Sequence, residues 1–239
     1  MVSAYSTTHF LVDFACAFLM FRAVSGTPDW YMYILLYNFC AFAMQMPMGV
    51  LADKISRNYI FAITGCLLTA ATYGFRSFPL AAVTAAGLGN SLFHIGGGAD
   101  ILNISEEKAG ALGVFVSPGA FGVYFGTILG RGTSMPVVPV IILMIAAAAL
   151  IFISRRVQGE EYPKNAEFSL NCGASSRILP AVLCFFFVVC LRSYAGLAFN
   201  SPWKSTGYWG VILVCAVVFG KTAGGFISDK FGATKTTCI

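Results

Sequence analysis

The ionisable residues inside the apolar stretches are the positions where this sequence could do chemistry. His9 and Asp13 are four residues apart in the first apolar stretch, so in a helix their side chains share one face. Histidine titrates near neutrality, so such a pair could exchange a proton. The alternative for His9 is a solvated position at the cytoplasmic interface. Because an ionised group costs about 2.5–3.5 kcal/mol at the centre of a membrane helix, we interpret Asp13 as functional.

A second polar group surrounds the run Gly96-Gly97-Gly98 in a later apolar stretch and consists of Asn90, His94 and Asp100. Each glycine in a helix costs about 1 kcal/mol relative to alanine. The run therefore predicts a broken or tightly approached helix that lines a cavity. His94 is a candidate cavity group, and the alternative is a histidine bonded to a neighbouring helix. For Asp100 we expect an interfacial or helix-packing charge.

Arg192 and Gln45 complete the set of candidate binding residues. Arg192 could hold an anionic substrate or balance Asp13 across a pseudo-symmetry axis. The alternative is an arginine that extends to the outer interface of a membrane. Gln45 could line the same cavity.

The composition predicts an all-α integral membrane protein. Hydrophobic residues make up 58% of the chain and charged residues 10%, and the mean hydropathy is +0.78. Soluble domains carry about 25% charged residues. The eight cysteines form no CxxC pair or Cys/His cluster, so we predict neither a metal site nor a cofactor. Positively charged loops explain the net charge of +5, which argues against a nucleic-acid partner.

About eight stretches have the roughly 20 apolar residues that a membrane span needs. They run approximately from Tyr5 to Val24, Trp30 to Ala52, Tyr59 to Phe75, Leu80 to Ile104, Ala109 to Leu129, Met135 to Ile153, Arg177 to Phe199 and Tyr208 to Ile227. A polar linker over residues 154–176 separates a six-helix bundle over residues 1–153 from the start of a second bundle over residues 177–239. The first stretch lacks a basic leader, so we expect it to be retained as a helix.

Basic residues predict the orientation in the membrane. Alternate loops place most of them on one side, and these are Lys54, Arg57, Lys108, Arg155, Arg156, Lys164, Arg177, Lys230 and Lys235. Since basic loops stay inside, we expect that side and the N-terminus to be cytoplasmic and the protein to lie in the cell membrane.

A charged hairpin occurs twice, each time at the end of an apolar stretch. The first copy has Gly49, Asp53, Lys54 and Arg57, with Ser56 between the last two. The second copy has Gly225, Asp229 and Lys230 followed by Gly232. This repeat, together with six helices and a cytoplasmic linker, resembles the major facilitator superfamily. In that family the position of Ser56 is usually glycine.

The resemblance implies a twelve-helix fold in two halves, of which this sequence supplies about the first eight helices. It implies that the hairpins act as conformational latches. It also implies that Asp229 contacts the fifth helix, whereas the partner helix of Asp53 would come from a second polypeptide or a longer chain.

The predicted fifth helix carries Gly113, Ser117, Pro118, Gly119 and Gly122. This pattern is similar to the glycine-proline motif of the drug/proton antiporters in that family. The alternative is ordinary packing of small residues, with Gly126 and Gly130 continuing the smooth face. The pair His9 and Asp13, with the run that contains His94, resembles the fosmidomycin-resistance branch.

These features predict a secondary active transporter and no enzymatic activity. A small solute would cross the lipid bilayer by alternating access, with efflux driven by a proton gradient. Asp13 would carry the proton. The alternative from another class is a truncated or split chain that does not transport alone and serves as a partner subunit. A membrane-embedded enzyme is less favoured, because the sequence offers no nucleotide loop or nucleophile motif.

Overall fold

The computed structural model describes residues 1–106, 108–132, 135–158, 208–232 and 235–236, together with residues 180, 183, 184, 187 and 191. Every regular element in this part of the chain is helical. The chain divides into one unit of Met1–Ala166 with Val214–Ile239 and another of Glu167–Leu213. Most of the predicted linker and Arg192 lie outside the described residues. The predicted domain boundaries therefore remain predictions.

The first two helices differ in how much of their surface is buried. Helix α1 is Val2–Val24, and its last turn is a π-helix. Helix α2 is Trp30–Ile55 and is interrupted by a π-turn at Phe39–Ala43. Helix α1 has side chains of the core on most of its faces, whereas large apolar side chains of α2 are exposed. Exposed apolar side chains on a long helix are the pattern expected where lipid is the solvent.

Helices α3 and α4 cross with their backbones in contact. Helix α3 is Asn58–Ala71 with a 3-10 turn at its end, and α4 is Pro79–Ile104 with its proline in the first turn. A Cβ atom added at Gly65 would lie 2.5 Å from the backbone nitrogen of Phe93. One added at Gly96 would lie 2.5 Å from the backbone nitrogen of Ala62. Only glycine permits this approach.

The three remaining helices are α5 at Ala109–Arg131, α6 at Val138–Gln158 and α7 at Trp209–Phe231. Helix α5 lies along α1, and α6 packs against α3 and α1. A cluster of buried side chains from α1, α3, α4, α5 and α6 forms the core around this contact. Helix α1 is therefore the central element of the first unit's described part.

Five described helices are long and apolar enough to cross a membrane: α1, α2, α5, α6 and α7. The chain is therefore a multi-pass membrane protein by the length and composition of its helices. The α-helical part of α3 has only 14 residues. Helix α4 has 26 residues, or roughly 39 Å, but its glycines and polar residues make it less apolar. Seven of the eight predicted spans coincide in position with described helices, and five of these helices are long and apolar enough to cross a membrane. The predicted seventh span in the chain lies mostly outside the described residues.

Candidate functional site

The polar residues predicted on two separate helices meet at one largely buried cluster, His9–Asp13–Asn90–His94. Asn90 Nδ2 donates a hydrogen bond of 3.1 Å to Asp13 Oδ1. His9 Nε2 lies 3.2 Å from Asp13 Oδ2, and His94 Nε2 lies 3.8 Å from Asp13 Oδ1. The two histidines face each other with 2.9 Å between their Nε2 atoms. The cluster therefore joins the middle of α1 to the middle of α4.

Helical spacing explains how each helix presents its pair. His9 and Asp13 are one turn apart on α1, and Asn90 and His94 are one turn apart on α4, so each pair projects from a single face. The side chain of His9 is 4% exposed and that of Asp13 is 15% exposed. The interpretation of His9 as a solvated interfacial residue is therefore wrong. A carboxylate this well enclosed needs polar partners, and the cluster supplies them.

Aromatic rings form the apolar walls of the cluster. His9 packs against Phe93 with ring centroids 5.8 Å apart and against Phe115 at 4.7 Å. The imidazole rings of His9 and His94 are nearly perpendicular, with centroids 4.5 Å apart. These phenylalanines were not predicted as part of the site, because phenylalanine is common throughout this sequence and carries no polar signal.

Hydrogen-bond partners determine where the proton lies on His94. Its Nδ1 atom lies 2.9 Å from the backbone carbonyl oxygen of Asn90. A carbonyl oxygen only accepts, so Nδ1 carries a hydrogen and the Nε2 atom of the neutral ring has a free lone pair. His9 Nε2 can then donate to Asp13 or to His94. The Nδ1 atom of His9 is buried and has no hydrogen-bond partner.

Helix α5 closes the cluster with a glycine. A Cβ atom added at Gly119 would lie 2.5 Å from His9 Nε2 and would also overlap Asp13 Oδ2. The neighbouring Pro118 cannot donate to the carbonyl oxygen of Val114. The hydroxyl of Ser6 on α1 lies 3.2 Å from that oxygen and 2.8 Å from the carbonyl oxygen of Val2, so its single hydrogen is shared between the two acceptors. The glycine-proline motif thus contacts the same helix that carries His9 and Asp13.

Other members of that motif serve helix contacts. Gly122 stands against the backbone of Phe10 and Phe14. Ser117 donates to the carbonyl oxygen of Gly113 at 2.6 Å and shares a hydrogen bond of 2.7 Å with Thr222 on α7. The small-residue packing that was kept as an alternative is therefore present.

Asp100 and the glycine run differ from their expected roles. Helix α4 is continuous through Gly96, Gly97 and Gly98, so the expectation of a broken helix is wrong and that of a close approach is confirmed. Asp100 is fully buried and accepts a 2.5 Å hydrogen bond from the Tyr5 hydroxyl. It is therefore a helix-packing group, not an interfacial charge. Tyr5 precedes His9 by one turn, and that spacing was a signal for its inward position.

Gln45 does not join the hydrogen bonds of the cluster. Its side-chain amide donates to the carbonyl oxygen of Ala41, 2.8 Å away on its own helix. Ala41 lies within the π-turn of α2. The regular backbone hydrogen bonds of the helix are interrupted at such a turn. Its predicted place in a cavity remains a prediction.

The two charged hairpins end their helices in the same way. Ser56 has a φ angle of +50° and donates its backbone N–H to Ala52. Gly232 has a φ angle of +85° and donates to Ser228. Both residues are therefore left-handed helix caps, which explains why glycine is favoured there. Lys54 and Arg57 are exposed on the first hairpin, as is Lys230 on the second.

The second hairpin also caps a helix. The carboxylate of Asp229 accepts hydrogen bonds from the backbone nitrogens of Ala109 at 2.7 Å and Gly110 at 2.8 Å. These nitrogens begin α5, where free N–H groups and the helix dipole favour an anion. Gly225 lies one turn before Asp229, and a Cβ atom there would lie 2.5 Å from the Ala109 carbonyl oxygen. In the first copy, Gly49 has only an ordinary 3.8 Å contact with Ile95.

Comparisons with family models, with curated proteins and with solved structures found no match to this chain.

Proposed function

We propose that this protein is a secondary active transporter of the major facilitator type, which moves a small solute by alternating access. The observation that carries the proposal is the His9–Asp13–Asn90–His94 cluster. Ionisable groups enclosed between membrane helices are costly, and they mark ion or substrate pathways. A purely structural contact would be satisfied by neutral residues at lower cost.

The proton is the coupling ion that we propose. Asp13 is in contact with two imidazoles, and both side-chain types accept and release protons. A proton shared by the cluster would neutralise the carboxylate. Loss of that proton would leave an anion that favours access to water. This difference gives the two protonation states different preferred conformations, which is what coupling requires.

Two further contacts support a transporter of this type. The Asp229 cap ties the hairpin after α7 to the start of α5, as the resemblance implies for a latch. Helix α5 brings the glycine-proline motif directly onto the cluster through Gly119. Since that motif is similar to the one in drug/proton antiporters, we propose efflux as the direction. The basic loops support a cytoplasmic N-terminus in the cell membrane.

Transport assays in proteoliposomes test the proposal. We expect the purified chain to move one or more solutes from a panel of organic ions and small drugs when a proton gradient is imposed. An internal pH-sensitive dye would record the matching proton flux. We expect Asp13→Asn to abolish proton-coupled flux, because asparagine keeps the size and loses the titratable group.

Asp29→Asn is the matched control, because Asp29 is exposed before α2 and makes no side-chain cap hydrogen bond. This variant should transport like the parent chain. Absence of flux for every solute from monodisperse, folded protein would overturn the proposal. Equal proton-coupled flux in Asp13→Asn would overturn the role of the cluster.

A further inference from the structure

The cluster has a property that proton transfer does not require: its donor atoms converge on one point. His9 Nε2, His94 Nε2 and a carboxylate oxygen of Asp13 all lie within 4.8 Å of one another. No metal site was predicted from the sequence, because it contains no CxxC pair or Cys/His cluster. His9 and His94 are on different helices, and packing of α1 against α4 brings them together.

We propose that His9, Asp13 and His94 bind a divalent transition-metal ion of the Zn²⁺ class. Two imidazoles and one carboxylate are the ligands of many zinc, iron and nickel sites. Mg²⁺ and Ca²⁺ fit less well, because they require several oxygen ligands. Three protein ligands leave one tetrahedral position for water or a solute.

The surroundings of His94 are those of a metal ligand. Its Nδ1 hydrogen bond to the Asn90 carbonyl oxygen directs the lone pair of Nε2 at the other two donors. Metal-binding histidines commonly make this kind of bond with the nitrogen that does not touch the metal. The Asn90 side chain meanwhile holds Asp13 Oδ1. One residue therefore orients two of the three ligands.

His9 is oriented by packing instead. Phe93 and Phe115 enclose its ring, while its Nδ1 atom has no hydrogen-bond partner. The Nε2 atoms of the two histidines lie 2.9 Å apart, so they need to separate by only about 0.4 Å to reach the spacing of two nitrogens in a tetrahedral zinc site. A metal ion would replace a single shared proton between three donors. It would also offset the carboxylate charge more completely.

Gly119 of α5 closes the remaining side of the site without placing a side chain in it. A methyl group there would lie 2.5 Å from His9 Nε2 and would occupy the volume of the ion. The site therefore requires glycine at position 119, although this residue supplies no ligand atom. Metal binding does not rest on the transport proposal, although the same cluster carries both. Because the ligands must be deprotonated, metal ions and protons would compete there.

Cobalt absorption and zinc calorimetry on the purified chain test this inference. The accessible cysteines are first alkylated, because thiolates bind the same metals. We expect one equivalent of Co²⁺ to produce the intense d–d bands of a four-coordinate site. Zn²⁺ should displace it with the same stoichiometry. His94→Asn and Asp13→Asn should each weaken Zn²⁺ binding at least about tenfold.

Gly119→Ala tests the space around the site, because it keeps all three ligands. We still expect it to weaken Zn²⁺ binding. Gly224→Ala is the matched control, since a Cβ atom at Gly224 meets nothing within 4 Å. Its Zn²⁺ affinity should equal that of the parent chain. A size-exclusion profile and melting temperature would confirm that each variant is folded.

Two outcomes would overturn the inference. One is the absence of stoichiometric binding to the alkylated, folded chain. The other is an unchanged affinity in both His94→Asn and Asp13→Asn, which would indicate adventitious sites only. Solute flux without metal binding would leave the proposed transport function standing, and metal binding without flux would overturn transport alone.

Discussion

At the scale of single residues, the chain uses a serine where its backbone needs glycine. Ser56 ends α2 with a φ angle of +50°, a conformation in which a Cβ atom crowds the following carbonyl oxygen. Gly232 occupies the corresponding position of the second hairpin without this cost. The hydroxyl of Ser56 donates to the Asp53 carbonyl oxygen at 3.0 Å, which offsets part of the strain.

Ser56→Gly should therefore stabilise the protein by up to about 1 kcal/mol, because the left-handed strain is removed. Thermal unfolding in detergent would measure the change. The matched control is Ser105→Gly at the end of α4, where the φ angle is −92° and the hydroxyl lies 3.5 Å from the Leu102 carbonyl oxygen. That variant should gain nothing. A destabilised Ser56→Gly variant would show that the hydroxyl contact outweighs the strain.

At the scale of helices, α5 lies against α1 along a strip of glycines. A Cβ atom added at Gly126 would lie 2.9 Å from Ala17 Cβ. One added at Gly130 would lie 2.8 Å from the Phe18 carbonyl oxygen. Within hydrocarbon, such close packing replaces the hydrophobic effect as the source of helix association. The same contact brings the Ser6 hydroxyl, which also reaches the Val2 carbonyl oxygen, to the carbonyl oxygen that Pro118 leaves without its helical donor.

A double-mutant cycle tests this compensation. Ser6→Ala should cost up to about 1 kcal/mol in the parent chain, because the Val114 carbonyl oxygen loses the hydroxyl that it shares with the Val2 carbonyl oxygen. The cost should fall in a Pro118→Ala background, where the backbone of residue 118 donates instead. Unfolding free energies of the four proteins would give the coupling. Ser25→Ala, which removes a hydroxyl bonded to the Phe21 carbonyl oxygen, should show no coupling to Pro118→Ala.

The helices could be predicted from the sequence more completely than their contacts. The lengths of the apolar stretches and the turn residues between them predicted the helices of the described residues. The thickness of the lipid bilayer sets the length of a span, and its apolar interior requires apolar side chains. Asp13, Asn90 and His94 were each singled out as polar groups in apolar helices. Their convergence was not predicted: His9 and His94 are 85 positions apart, and periodicity gives a face without giving its neighbour. The buried pair of Tyr5 and Asp100 was missed for the same reason.

At the scale of the whole molecule, the hairpin after α7 stabilises a helix far away in the sequence. Asp229 and Ala109 are 120 positions apart, and their contact lies within the first unit. Gly225 allows the backbones to approach and Asp229 supplies the cap. The spacing of these two residues in the hairpin is therefore a structural requirement, because one helical turn places both on the same face.

Removing this cap should destabilise the protein. Asp229→Ala leaves two N–H groups at the start of α5 without their acceptor, and a lost cap costs about 0.5–2 kcal/mol. Asp229→Asn should cost less, since an amide oxygen can still accept one bond but carries no charge to complement the helix dipole. Fluorescence-detected thermal unfolding would rank the melting temperature of the parent chain above that of Asp229→Asn, and that of Asp229→Asn above that of Asp229→Ala.

Asp29→Ala is the control, because it removes an exposed aspartate that makes no cap bond. It should leave the melting temperature unchanged. Equal melting temperatures for Asp229→Ala and the parent chain would mean that water satisfies the start of α5 as well as this carboxylate does, and the hairpin would then lose its role in holding α7 against α5.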